Sequence, residues 1–509
     1  MNEPREKKLR SCLAHDWAQR WAHAGVLIVS AALSACAVGP DYRAPELPTP
    51  PSWYSQPAAG YRVESADSPT LASWWTSFND PALDALIERA IDENKTVKQA
   101  VASVVAARAR RGIAVAGFLP NIGASAGASR SDSDSSSFSS DTGTSLGDLT
   151  GSGGAQDTYD AGLDASWEID LFGGLRRSLE SSTATLVATE ADLRDVLVVL
   201  LADVALSYVE VRTTQSRLTF AERNLASQKD VLDIAGWRVD AGLATVLDVE
   251  QAKASYAQTR AQIPALESNL AAALNRLAVL TGQRPGSLQD ELRERRALPS
   301  VPLEFVSSVP AEVMRRRPDI RSAERRLAAQ TAEVGVATAA LYPSLSLGGS
   351  IGVTSTSASD LLSDGFQSNR FGINLSVPVF NGGALRQNIK VQNALVDQAL
   401  ASYEATVLAV YEEVENGLTQ WVNEQRRHEA LVDAAASARI ASELALVQYN
   451  SGLVDFQTVL TADRELISSE DALAVSDGEI ASNLIRLYKA FGGGWSVFPA
   501  STTASAGTP

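Results

Sequence analysis

The sequence has 509 residues, with 44 Lys and Arg against 60 Asp and Glu, a formal net charge of −16. That length allows two or three ordinary domains, and an acidic balance without a basic patch argues against nucleic acid as a partner. No charge-free apolar run in the body of the chain reaches the roughly eighteen residues that a membrane-spanning helix needs.

The N-terminus reads as a targeting segment. Arg5, Lys7, Lys8, Arg10 and Arg20 precede the apolar run "GVLIVSAALSA" from Gly25 to Ala35. The run is too short to span a bilayer and has the layout of a secretory signal. It ends in Leu33-Ser34-Ala35-Cys36, a sequence that resembles a bacterial lipobox, in which cleavage precedes a cysteine that is then lipidated. Loss of residues 1–35 removes five basic and three acidic side chains and leaves a net charge of −18. One cysteine (Cys36), one histidine (His428) and one methionine (Met314) remain. An intrachain disulfide is then impossible, and a Cys/His/Met metal site is not expected. Histidine chemistry would rest on His428 alone, which falls in a helical pattern and reads as a packed or solvated helix residue. No cofactor is expected.

A helix is expected from about Val97 to Phe118, then a strand at "NIGASAGAS" (121–129). A Ser-, Gly- and Asp-rich stretch (129–157) follows and reads as an exposed loop. The next stretch, "TYDAGLDASWEIDLFGG" (158–174), alternates strictly. Its odd positions Tyr159 to Leu171 are apolar, and its even positions include Asp160, Asp164 and Glu168. That period of two marks a strand with one greasy and one acidic face. From Arg176 to Ala241, Leu197, Val204, Val211, Leu218, Leu225, Leu232 and Val239 recur every seventh residue. This is a coiled-coil seam, and its length corresponds to roughly 100 Å of helix. A return helix is expected from Thr245 to Thr281. The proline-rich stretch 282–319 is expected to form a non-helical belt, joined by the segment after Phe491.

The chain is then written a second time. "RVDAGLATVLDVEQAKA" (238–254) returns as "QYNSGLVDFQTVLTADR" (448–464), and "LNRLAVLTG" (274–282) returns as "LIRLYKAFG" (484–492). The second copy should hold helices at 320–341, 384–450 and 455–491 and strands at "SLSLGGSIGVTS" (344–355) and "RFGINLSVPVF" (370–380). Strands of this length, tilted, cover about 25 Å, the apolar height of an outer-membrane barrel. Phe118, Phe172, Tyr342, Phe371 and Phe380 are candidates for interfacial girdles. Four strands cannot close in lipid without exposing backbone groups at their edges. The chain is therefore expected to oligomerise, with Asp160, Asp164 and Glu168 facing a watery lumen. A soluble sandwich strand with one wet face is the rival reading of the same alternation.

Five stretches carry a family resemblance: "CAVGPDYRAPE" (36–46), "WWTSFNDPALDALIERAIDEN" (74–94), "RRRPDIRSAERRLAAQTAEVGVATAALYPSLSL" (315–347), "VPVFNGG" (377–383) and "LYKAFGGGW" (487–495). They are similar to the outer membrane efflux proteins, and more narrowly to the NodT-type lipoproteins of the TolC-like outer membrane factor family. The resemblance implies an α+β fold. Each chain would supply four strands of a trimeric, twelve-stranded transmembrane barrel, continued by a long periplasmic α-helical barrel with a mixed belt at mid-height. It divides the chain into a signal peptide (1–35), a lipid-anchored extended segment (36–80), a first efflux-protein repeat (81–282), an equatorial linker (283–319), a second repeat (320–492) and a disordered tail (493–509). It implies a homotrimer in outer-membrane lipid, working with a periplasmic adaptor (membrane fusion) protein and an inner-membrane RND transporter, and no enzymatic activity.

Residue by residue, the resemblance places lipid on Cys36. Ala37 follows it; an aspartate there commonly retains such lipoproteins in the inner membrane. The adaptor would dock at Arg238, Gly242, Leu243, Tyr449, Gly452 and Leu453. A periplasmic aperture would lie after the second tip. Drug-efflux relatives carry a leucine and an aspartate there, where this chain has Gln457 and Thr461. A more polar ring is expected, with Asp455 or Asp463 supplying charge. Two other readings remain open from sequence: an exit channel for type I protein secretion, and a trimeric lipid-anchored coiled-coil scaffold without a pore.

Overall fold

The computed structural model describes residues 37–46, 50–55, 61–63, 69–132, 155–299, 301, 305–307, 310–361, 363 and 365–495. The expected signal segment, Cys36, most of the Ser-rich loop and the tail from residue 496 lie outside the described residues. The elements, in chain order, begin with β1 (Tyr61–Val63), α1 (Pro69–Ala72), a 3-10 turn (Trp74–Phe78), α2 (Pro81–Glu93), α3 (Lys95–Ala116), β2 (Asn121–Ser131) and β3 (Gln156–Ile169). Then come α4 (Gly174–Asp240), α5 (Val246–Leu280), β4 (Phe305–Ser307), α6 (Pro310–Arg316), α7 (Pro318–Ala339), β5 (Ser344–Ser355), β6 (Phe366–Ser376), α8 (Ala384–Asn450) and α9 (Phe456–Ala490). Among the described residues no helix is long and apolar enough to cross a membrane.

The repeat holds to the residue. Helices α4 and α8 each have 67 residues and start 210 positions apart, as do the 35-residue α5 and α9. Helices α3 and α7 each have 22 residues and start 223 positions apart.

The chain divides into two compact units. The first (Met1–Ala44, Ala107–Leu186, Arg326–Ala399) contains a four-stranded antiparallel sheet in the order β2-β3-β5-β6. The pairings put one class of residue on each face. Asp160, Asp164 and Glu168 share a face with Gly123, Ser125, Gly127, Ser346, Ser350, Arg370 and Asn374. Leu163, Trp167 and Ile169 share the other with Ile122, Ala124, Leu345, Leu347, Ile351, Ile373 and Leu375. The fourth strand runs from Phe366 to Ser376, four residues earlier than the 370–380 expected from sequence. The strand stops at Ser376 because its partner β5 begins at Ser344, opposite it and directly after Pro343, while Pro378 itself has no N–H for a ladder. As a result Phe371 falls mid-strand, over Gly349, and not at a rim.

The second unit (Pro45–Ala106, Val187–Arg325, Leu400–Pro509) holds the hairpins α4–α5 and α8–α9. The α4 seam is buried at Leu197, Leu200, Val204, Val211, Thr214 and Leu218, then at Asn224, Gln228, Val231 and Ala235. The steps of three and four are those of a coiled-coil face.

The belt departs from the expectation that 282–319 is non-helical. It includes α6 and the short parallel pair β1–β4. Helix α2 is also absent from the sequence reading. Asp80 caps it by accepting from Ala82 N–H at 2.9 Å, Pro81 opens it, and Leu83, Leu86, Ile87 and Ala90 form its buried stripe. Trp74 stacks on Tyr488 at 5.5 Å, and Gly494 N–H donates to Leu71 C=O at 3.0 Å, so the C-terminal stretch joins this cluster.

Candidate channel wall, helix tips and anchor

Asp160 and Asp164 are held by what they face. Each sits directly opposite a glycine, Gly127 and Gly123. A Cβ at Gly127 would stand 2.7 Å from an Asp160 carboxylate oxygen, and one at Gly123 would stand 3.0 Å from Asp164. The carboxylates therefore lie across the neighbouring strand in notches that only glycine leaves open. Glu168 faces Ser346 on the same polar face. Arg370, which the sequence reading missed, is on this face too, opposite Ser350. Its signal was its even-numbered spacing with Gly372 and Asn374. At the helix-side end, Trp167 Nε1–H donates to Phe118 C=O at 2.9 Å, and Phe172 stacks on Tyr342 at 4.8 Å. Four of the five aromatics named from sequence lie near that end; Phe371 does not.

The residue after Cys36 is tied to the same end. Val38 N–H donates to Phe172 C=O at 3.1 Å, and Ala37 packs against Gly173, whose φ of +82° suits glycine. Arg177, almost fully buried, donates to Val38 and Gly39 carbonyls and pairs with Asp41 at 2.6 Å and Glu180 at 2.8 Å. Burial opposes its charge, and the two carboxylates more than offset that, raising its pKa.

The two helix tips turn in the same way. Gly242 and Gly452 both have φ of +76°. Leu243 N–H donates to Arg238 C=O at 2.8 Å, and Leu453 N–H to Gln448 C=O at 2.9 Å. These are glycine-closed helix ends of the Schellman type. Thr245 and Asp248 then form a reciprocal capping box, and Asp455 caps α9 through Thr458 N–H at 2.9 Å. Leu243 and Leu453 are 69% and 76% exposed, and Trp237, Val246 and Leu247 extend that apolar surface.

Arg238 and Tyr449 do something else. Tyr449 is buried, and the Arg238 guanidinium lies 4.4 Å over its ring. Arg238 also donates to Tyr449 C=O at 2.9 Å and Asn450 C=O at 3.2 Å, capping the end of α8. Of the six residues expected to dock a partner, these two clamp one hairpin to the other, and Tyr449 is not available at the surface.

Gln457 and Thr461 are exposed one turn apart on one face of α9. The Thr461 hydroxyl donates back to Gln457 C=O at 2.8 Å. Asp463 is not with them. It lies on the opposite side of the helix, buried, and accepts from Gln228 Nε2–H at 3.0 Å. Burial pushes its carboxyl above the usual range, with the Gln228 bond acting against that. The expectation that Asp463 charges the aperture is corrected: two residues past Thr461 is half a helical turn away. Asp455 stays at the exposed tip, and its bonds to Thr458 hold its carboxyl below the usual range.

Deeper in the second unit, Glu470 is buried and accepts from Arg223 at 3.0 Å, Arg439 at 2.8 Å and Asn224 at 3.2 Å. This joins α4, α8 and α9. Asp195 lines a cavity of about 220 Å³ with Arg317, Asp319, Glu413 and Lys489. Burial first, then Asp319, push its carboxyl up to about 6. His428 pairs with Asp477 at 2.7 Å as a helix-surface residue. No group of metal-binding side chains occurs among the described residues.

Comparison with known proteins agrees with this architecture. The family model for outer membrane efflux protein matches residues 86–283 and 309–493. The chain is 34% identical over 463 residues to the pyoverdine export outer membrane protein OpmQ of Pseudomonas aeruginosa, covering 91% of this chain and 95% of that one. It is 31% identical over 480 residues to the toluene efflux pump outer membrane protein TtgF of Pseudomonas putida, covering 92% and 96%. The solved outer-membrane channel OprN matches with a TM-score of 0.81 at 36% identity, over 90% of this chain and all of that one. A sheet with one apolar and one polar face, two matched helical hairpins and these likenesses lead to one statement: the chain belongs to the outer membrane efflux protein family and is an outer-membrane channel component.

Proposed function

We propose that the protein is the passive exit duct of a tripartite, RND-type efflux pump. Three copies close a twelve-stranded barrel, lipid-anchored through Cys36. A periplasmic adaptor docks at the tips through Leu243 and Leu453, presented by the Gly242 and Gly452 turns. An inner-membrane RND transporter supplies the cargo. Asp160, Asp164 and Glu168 line the lumen, and Gln457 and Thr461 line the periplasmic aperture, with Asp455 as the nearby charge. Repeats at 81–282 and 320–492 flank an equatorial linker at 283–319, and a tail follows from 493.

The observation that carries this reading is the sheet. Its two faces are chemically opposite, and among the described residues both its outer strands have an unpaired edge. In lipid such edges cost several kcal/mol per unsatisfied backbone group, so closure needs further copies. The relatives' names point to small organic cargo: pyoverdine for OpmQ and toluene for TtgF. In this reading the inner-membrane partner sets the class of cargo.

Planar-bilayer recording tests the reading. The purified protein should give discrete, cation-preferring conductance, and Asp160→Asn/Asp164→Asn/Glu168→Gln should shift the reversal potential toward zero. A protein that never conducts, alone or after Gln457→Ala/Thr461→Ala, contradicts it.

A further inference from the structure

The internal repeat fixes how one copy should join the next, given the multi-copy barrel proposed above. The first hairpin pairs Asn121 with Ser166, and the second pairs Ser344 with Ser376. Adding the repeat offsets carries Asn121 to Ser344 and Ser166 to Ser376, so both hairpins share one register to the residue. The third ladder, β3 with β5, joins repeat to repeat and pairs Ile169 with Leu345 and Asp164 with Ser350. Carried through the same offsets, it describes the one ladder a single copy lacks: β6 of one copy against β2 of the next.

We infer that this seam places Ser376 of one copy opposite Ser125 of the next, and that Asn374 of the first copy meets Asp160 of the second across Gly127. The register follows by counting from the observed ladders: Val379 opposite Ile122, Val377 opposite Ala124, Leu375 opposite Ala126, Asn374 opposite Gly127 and Ile373 opposite Ala128. Apolar residues meet apolar ones and polar residues meet polar or glycine ones. A one-residue slip would turn every side chain to the wrong face.

Two further observations select this register from those two residues away. The first is the segment Val377–Phe380. It carries no ladder in one copy, and Val379 and Phe380 are 92% and 90% exposed. Its counterparts in the first repeat, Trp167 to Ile169, are paired with β5. The inferred register gives Val377 to Val379 the same pairing, against Ala124 to Ile122. The second is the lean of Asp160. Its carboxylate lies over Gly127, 2.7 Å from where a Cβ would be, and takes no hydrogen bond from the described residues. The Asn374 side chain, opposite that glycine in the inferred seam, likewise makes no hydrogen bond among the described residues. Strands lie about 4.8 Å apart, so two side chains leaning over an intervening glycine from either side come within reach. The Asn374 amide N–H would donate to the Asp160 carboxylate, a charge-assisted bond between copies on the lumen wall.

Disulfide trapping in outer membranes tests the register. Cys36 is the only cysteine expected in the mature chain and is expected to be lipidated, so background is low. Ser125→Cys is combined with Ser376→Cys, Asn374→Cys or Pro378→Cys and treated with copper phenanthroline. Directly opposed residues lie within disulfide range and diagonal ones beyond it, so the Ser376 combination should give about fivefold more linked dimer and trimer than either other. Stronger linking through Asn374→Cys or Pro378→Cys overturns the register and leaves the channel reading standing. No linking in any combination from protein that has the mass of three copies also overturns the register. No linking from protein with the mass of one copy overturns the channel reading itself. The hydrogen bond has its own test. Asn374→Asp should lower the temperature at which the assembly dissociates in SDS, and adding Asp160→Asn should restore it. Failure to restore removes the Asn374–Asp160 contact.

Discussion

Asp195 shows how a single side chain makes stability depend on pH. Its folded pKa, about 6, is above its ordinary value of 3.8. The folded state therefore binds this proton more tightly. The stabilisation is complete below about pH 4 and is lost as pH rises through about 6. Asp195→Asn should keep the neutral form at all pH values. It should raise stability at pH 7 on the order of 1–2 kcal/mol, discounted for the group's partial exposure, and flatten the melting-temperature profile between pH 4 and 6. Thermal melts followed by circular dichroism check this, and a lower melting temperature at pH 7 refutes it. Aperture residues make a second case. Replacing a polar side chain of the proposed ring with an apolar one makes the constriction harder to wet, so Gln457→Leu should reduce single-channel conductance; an unchanged value would remove Gln457 from the aperture. The sequence named this residue by likeness to relatives, and the structure puts it exposed beside Thr461. Asp463 was misplaced for a simple reason. A carboxylate near a tip reads as solvated, and only three-dimensional packing shows that Gln228 reaches it from a helix 235 positions away.

At the scale of elements, the long helices and the repeat were legible because heptads and duplicated spacings extend over dozens of residues. The ends of α4 and α8 fell within two residues of expectation, since glycine turns and capping residues mark them. Short elements were not legible. A three-residue strand such as β1 or β4 has no measurable period, and proline-rich sequence around α6 reads as loop. Strand β6 reads longer in sequence because Val377 and Val379 continue its odd-numbered apolar alternation on either side of Pro378; whether they pair depends on a strand from another copy. The clamps between hairpins also come only from packing. Arg238→Ala would leave the α8 terminus uncapped and remove the ring contact, a local loss of about 1–2 kcal/mol. Hydrogen exchange at 447–453 should accelerate correspondingly, with little change at Leu197–Val211. Glu470→Ala should cost about 2 kcal/mol in melts, below the value for a fully buried pair because Arg223 and Arg439 are half exposed.

For the whole molecule, every part of the account depends on copies sharing one wall. The apolar face suits lipid, the acidic face suits water, and the unpaired rims of β2 and β6 suit each other. Among the described residues no further strand pairs with those rims. The family likeness extends over both repeats, and it agrees with a wall that a single chain leaves unfinished. Cargo preference was never legible, because a smooth conduit carries few residues whose chemistry depends on what passes. The direct measurement is the native mass of the purified protein in detergent. The account predicts one species with the mass of three chains. A stable species with the mass of one chain, its sheet edges covered from within, would contradict it.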